Sequence, residues 1–119
     1  MDEHAVQILL VEDEEAHAEM ARRAFAAHGG RFQLTIAGSL VEARAHLAEA
    51  SPNLVIADLR LPDGLGTDLM PAETNGHAVP LVVMTSQGDE RSAVESMKAG
   101  AVDYVVKSDA VLAEAPHIA

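Results

Sequence analysis

The runs Val6-Gln7-Ile8-Leu9-Leu10-Val11, Leu54-Val55-Ile56-Ala57 and Pro80 to Met84 are short and almost continuously apolar, Ala101 to Val106 reads as another strand, and each stops abruptly at polar residues. A strand with one wet face would alternate apolar and polar positions. Unbroken runs of this length, rich in Val, Ile and Leu, suit strands covered on both faces. The stretches between them read as helices. Glu14 to His28 is rich in Ala, places Ala21, Ala24 and Phe25 at helical spacing, and is stopped by Gly29-Gly30. Phe32 to Ile36 reads as a further strand. Ser39 and Glu42 form a capping box ahead of a helix carrying Leu40, Ala43 and Leu47, which Ser51-Pro52 ends. Between Gly66 and Asn75 the pattern predicts a segment helical at first and interrupted at Pro71, hence a short or broken helix, because proline removes a helical donor and clashes with the preceding turn. Asp89 to Ala99 is a helix closed by Gly100, and Asp109 to Ala113 begins a last one. Five strands alternating with helices imply an α/β fold, a doubly wound parallel sheet layered between helices as a three-layer sandwich.

At 119 residues the chain fits one domain, 1–119, and its 49% apolar content suffices for a core. It has no apolar run of the roughly 18 residues that a membrane helix needs. Met1-Asp2-Glu3-His4 lacks the basic start of a secretory leader. Cysteine is absent, which excludes disulfide and thiolate chemistry. A cytoplasmic location is therefore expected. The formal net charge of −11 repels nucleic acid and anionic lipid, so neither is an expected partner.

The polar residues at the strand ends carry the chemistry. The first run ends in Glu12 and Asp13, the third strand in Asp58, the fourth in Thr85 and Ser86, and the fifth in Lys107. Open α/β sheets bind ligands outside the carboxyl ends of their strands, at the switch point. If the first and third strands are neighbours, Glu12, Asp13 and Asp58 converge there and repel one another. A hard divalent cation relieves that repulsion, and magnesium fits, since it takes a few carboxylates and keeps several waters. A carboxylate can also act as a nucleophile toward phosphorus. Phosphoryl transfer needs positioning and charge neutralisation above all, which Lys107 and the Thr85 hydroxyl can supply. Asp58, alone at the end of the middle strand, is the candidate nucleophile.

Four runs resemble the bacterial response-regulator receiver family: Ile8 to Glu14, Asp58-Leu59-Arg60-Leu61-Pro62-Asp63-Gly64, Val83-Met84-Thr85-Ser86, and Gly100 to Lys107. Their order makes the resemblance specific over nearly the whole chain. It implies a flavodoxin-like sheet in the order 2-1-3-4-5. It further implies that Asp58 accepts a phosphoryl group from a histidine kinase or phosphotransfer domain. Asp13, Asp58 and the backbone carbonyl of Arg60 would ligate Mg2+, with Glu12 acting through water, and Thr85 and Tyr104 would form a switch pair. Ser108 stands where the family usually has proline after its lysine, which alters the expected loop. The side chain of Arg60 and Gln87 are expected to tune the lifetime of the acyl phosphate. The family's contact face on the fourth helix, fifth strand and last helix implies a weak homodimer. The ending from Lys107 to Ile118 is similar to N-terminal receivers of hybrid sensor kinases with PAS domains. On that resemblance the last helix is cut short, and PAS or kinase domains are linked in the parent protein.

Each residue also has a plainer reading. Acids after a strand favour the N-terminus of the next helix, Thr85 and Ser86 can be caps, Lys107 a surface charge and Tyr104 a half-buried packing residue. Asp63-Gly64 is first of all a turn. The six histidines show no tight ligand pair and read as solvated, so zinc is not expected. Two rival chemistries fail on particular residues. A phosphatase of the haloacid-dehalogenase type needs an acid two positions after the nucleophile, where Arg60 stands. A flavin or nucleotide carrier needs a phosphate-binding loop where Glu12 to Glu15 is strongly acidic. A pseudo-receiver, a pure interaction module, would lack the full set of Asp13, Asp58, Thr85 and Lys107.

Overall fold

The computed structural model describes residues 5–50, 52–69, 73–74, 77–85, 90–101 and 103–106. Five parallel strands form one sheet: β1 (Val6–Val11), β2 (Phe32–Ala37), β3 (Leu54–Asp58), β4 (Leu81–Thr85) and β5 (Asp103–Val106). Their order is β2-β1-β3-β4-β5, the switch-point order that the family resemblance implies. The connecting helices are α1 (Glu15–Ala26), α2 (Leu40–Glu49) and α3 (Glu90–Ala99).

The apolar runs sort by alternation onto two faces. Leu9 and Val11 of β1, Val55 and Ala57 of β3, and Leu81 and Val83 of β4 pack with Leu40, Ala43 and Leu47 of α2. Ile8 and Leu10, Ile56 and Met84 face the other way, against Ala21 and Phe25 of α1. Successive side chains of a strand point to opposite faces, so a run buried on both sides must be apolar at every position. The rule holds for β1 from Ile8 onward, and for β3 and β4 up to the polar residues that end them. The edge strand β2 alternates instead, with Gln33 and Thr35 exposed.

The cap of α2 forms as the Ser39/Glu42 spacing predicts. Ser39 Oγ accepts from the Glu42 amide at 3.2 Å, while Glu42 reaches back to the Gly38 amide at 2.9 Å, one residue earlier than a standard box. Gly29 ends the α1 region at φ 64°, a conformation glycine adopts without strain.

The segment after β3 keeps only a short helical piece at its start, of the 3-10 kind. Gly66–Leu69 is a single 3-10 turn, and Glu73–Thr74 pairs antiparallel with His77–Ala78. No helix continues toward Asn75 in the described residues. Pro71 cannot sustain a helix across that span. The last helix expected from Asp109 lies outside the described residues.

Candidate functional site

Pairing of β1 with β3 brings two acidic strand ends together. Val11 lies opposite Ala57, so Glu12 and Asp58, the residues that follow, are neighbours at the carboxyl edge. Glu12 is fixed by its backbone, since its amide donates to the Ala37 carbonyl at 2.8 Å and extends the β1–β2 ladder by one residue. Its side chain is held too, because Glu12 Oε2 accepts from the Glu14 amide at 3.1 Å. Glu12 and Asp58 are buried, at 2% and 6% exposure, whereas Asp13 is open to solvent.

One carboxylate oxygen from each of Glu12, Asp13 and Asp58 lies within 4.8 Å of the others. Bonds of about 2.1 Å in an octahedral magnesium site put opposite oxygens about 4 Å apart. Small side-chain rotations would therefore bring these oxygens around one ion. The donor set consists of hard oxygens, with an exposed member facing the water that magnesium retains. These residues fit the cation.

The chain after Asp58 folds back as a small hairpin, with Arg60–Leu61 paired antiparallel to Gly64–Leu65. The Gly66 amide closes its base on the Leu59 carbonyl at 2.7 Å. Only glycine fits at position 66, because a Cβ would stand 2.3 Å from the Asp58 carbonyl oxygen. Asp63, at the hairpin tip, accepts from the Leu40 amide at 2.8 Å and the Val41 amide at 3.0 Å. The Leu40 hydrogen bond is the main reason its carboxyl titrates below the ordinary carboxylate range, with that of Val41 adding to it against a smaller opposing desolvation. The turn reading of Asp63 holds, and its role as a long-range cap of α2 was not legible in the local sequence.

Thr85 ends β4 and is buried at 2% exposure, one residue beyond the Met84 that pairs with Asp58. Tyr104 lies opposite Val83 on β5 and is 37% exposed, partly open to solvent. Arg60 is exposed beside the acceptor. Lys107, Ser86, Gln87 and Ser108 lie outside the described residues.

His17 corrects the reading of the histidines as solvated. In the first turns of α1 it is half-buried, with Nδ1 2.9 Å from Glu14 Oε2 and 3.8 Å from Glu12 Oε1. The signal was its position three residues after Glu14, which puts both side chains on one helix face. An open groove beside the triad is lined by Glu12, Asp13, Glu15, Glu19, Glu42 and Arg22. In it, hydrogen bonds from Arg22 and Arg23 hold the Glu19 carboxyl below its ordinary range.

The chain matches the family model described as response regulator receiver domain over residues 8–114. It is 37% identical to methanogenesis regulatory protein FilR1 of Methanothrix harundinacea over 122 residues, covering 99% of this chain but only 27% of that protein. In fold it is similar to the phosphorylated cyanobacterial phytochrome response regulator RcpA, with TM-score 0.82 at 21% identity over 96% of this chain and 93% of that one. It also resembles the Mn(2+)-bound form of response regulator Rcp1, with TM-score 0.78 at 24% identity over 92% and 90% of the two chains.

Proposed function

Because the chain belongs to the response regulator receiver domain family, we propose that it is the phospho-acceptor module of a two-component phosphorelay, with Asp58 as the acceptor. The observation that carries this reading is the meeting of Glu12, Asp13 and Asp58 at one rim, with the middle carboxylate at the end of a buried strand. A carboxylate oxygen of Asp58 attacks phosphorus in a phosphohistidine, an O–P bond forms, and the N–P bond breaks with its electron pair passing to the imidazole nitrogen of the donor.

Glu12, Asp13, Asp58 and the Arg60 carbonyl would hold Mg2+, Glu12 through water. When bound, the ion neutralises the crowded carboxylates and the incoming phosphoryl oxygens. Thr85 donates its hydroxyl to one phosphoryl oxygen and Lys107 pairs with another. Arg60 screens the acyl phosphate from attacking water. Inward movement of Thr85 draws Tyr104 after it, and added charge at one carboxylate thereby biases a surface over β4 and β5. Two structural neighbours support this reading by analogy, Rcp1 as a Mn(2+)-bound form and RcpA as a phosphorylated one.

The phosphoryl donor is a histidine kinase or a phosphotransfer domain in the cytoplasm. No described helix is long and apolar enough to cross a membrane. The chain spans about a quarter of FilR1, so covalently linked PAS or kinase domains in a parent protein belong to the proposal. So does a weak homodimer through the face of α3 and β5. Acetyl phosphate, with and without Mg2+, tests the central claim by intact mass. The parent gains one phosphoryl group only with Mg2+ and Asp58→Asn gains none. Incorporation that survives the substitution places the acceptor elsewhere.

A further inference from the structure

The hairpin after Asp58 is tied to the rest of the molecule at its far end. Its tip residue, Asp63, accepts from two consecutive amides at the start of α2, those of Leu40 and Val41, 23 and 22 positions away. The helix already has a local cap, because Ser39 Oγ takes the next amide, that of Glu42. Satisfying orphan donors accounts for a cap, but Asp63 also joins two elements. The segment it grips, which begins at Ala37, is held from the other side by the Glu12 amide, which donates to the Ala37 carbonyl at 2.8 Å. The path runs from Glu12 through Ala37 to Leu40, across to Asp63, down the hairpin ladder, and back to Asp58 through the close seating of Gly66. Glu12 and Asp58 are thus connected twice, by β1–β3 pairing and by this outer loop. Arg60, whose carbonyl is the one non-carboxylate ligand in the proposed set, lies within the second connection.

We propose that Asp63 is a positioning residue for the cation site, one that fixes the hairpin and hence the presentation of the Arg60 carbonyl and Asp58. The inference rests on the metal reading given above and deepens it. Groups that orient metal ligands without touching the ion commonly change affinity by about 10- to 100-fold when removed. Asp63 orients through backbone, so the low end of that range applies.

Ser39 provides the control, since Asp63→Ala and Ser39→Ala each remove a cap from the same helix end, and only the first cuts the hairpin loose. Nuclear magnetic resonance on the labelled chain reads both consequences. Mg2+ is titrated against amide shifts, and exchange of the Gly66 amide is followed without metal. Asp63→Ala weakens Mg2+ about tenfold and speeds Gly66 exchange, while Ser39→Ala leaves both at parent values. Asp63→Asn retains one acceptor oxygen and falls between them, and it carries the test if the alanine variant is unfolded. Equal effects of Asp63→Ala and Ser39→Ala would reduce Asp63 to a cap and overturn the proposal, as would parent-like Mg2+ affinity and Gly66 exchange in Asp63→Ala. A parent chain that binds no Mg2+ overturns the metal reading itself and this inference with it, an outcome seen before any variant is compared.

Discussion

On the β1–β3 flank of the sheet, backbone and side-chain hydrogen bonds converge on the strand ends. Glu12 is bonded to Ala37 and Glu14, and the hairpin after Asp58 is pinned at base and tip. The β4–β5 flank contrasts with it. Among the described residues its outer surface carries exposed apolar side chains, with Val94 at 50%, Met97 at 40%, Tyr104 at 37% and Val106 at 38%, while Val41 and Leu65 are the exposed large apolar residues on the pinned flank. The comparison teaches a division of labour. The phosphoryl transfer proposed above needs groups held closely in place, and the hydrogen-bonded flank is where such fixing is seen. Apolar side chains clustered on an exposed face leave area that a partner could cover, which is what the open flank presents.

The widest gap should appear in core truncations. Ile56 sits at the centre of β3 with 1% exposure, packed between β1 and β4 and under α1. Ile56→Ala is expected to cost about 2–5 kcal/mol in urea unfolding. Val106→Ala at the open end of β5 should stay below about 1 kcal/mol. Comparable costs would mean that the two flanks are equally consolidated and would break the contrast.

The same contrast explains what could be read from the chain beforehand. Strands buried on both faces are apolar almost throughout, so β1, β3 and β4 were legible with their polar ends, and with them Glu12, Asp13, Asp58 and Thr85 as candidate residues at one edge of the sheet. The strand order followed from the family resemblance and agrees with the structure. Elements held by long-range contacts were less legible. The helix signal from Gly66 is realised only as the 3-10 turn Gly66–Leu69, which packs against α2 in a long-range contact that no local window contains. The grip of Asp63 on α2 spans 23 residues, and nothing in Leu-Pro-Asp-Gly distinguishes a turn aspartate from one that caps a remote helix. The spacing of the histidines speaks only to metal pairs, so the approach of His17 to a buried glutamate left no mark in it.

A smaller effect sharpens the pinned side of the comparison. The Asp63 carboxyl titrates below the ordinary value of 3.8, chiefly because its ionised form accepts from the Leu40 amide. The native-state value is depressed relative to the unfolded chain, so its contribution to stability is fully present above pH 3.8 and fades as pH falls through the lower native value. The difference in unfolding free energy between the parent and Asp63→Ala should therefore be constant from neutral pH down to about 4 and shrink below it. A gap that persists unchanged into strong acid would mean that the ionised carboxylate is not what holds the hairpin tip.

The smallest expected effect lies on the open flank, where its smallness is informative. Val94 and Met97 stand three residues apart on α3, and both are exposed beside β5. A solvent-exposed valine contributes little to folding, so Val94→Ser should change the stability of the isolated chain by no more than about 0.5 kcal/mol. If copies of the chain associate through this face, the same substitution removes apolar area from the interface core, and the sedimentation coefficient at high concentration should fall toward that of a monomer. Equilibrium unfolding at low concentration and sedimentation at high concentration thus read the two roles separately. A large loss of stability in the dilute chain would show that Val94 packs within its own fold, and the open flank would then be no more available to partners than the pinned one.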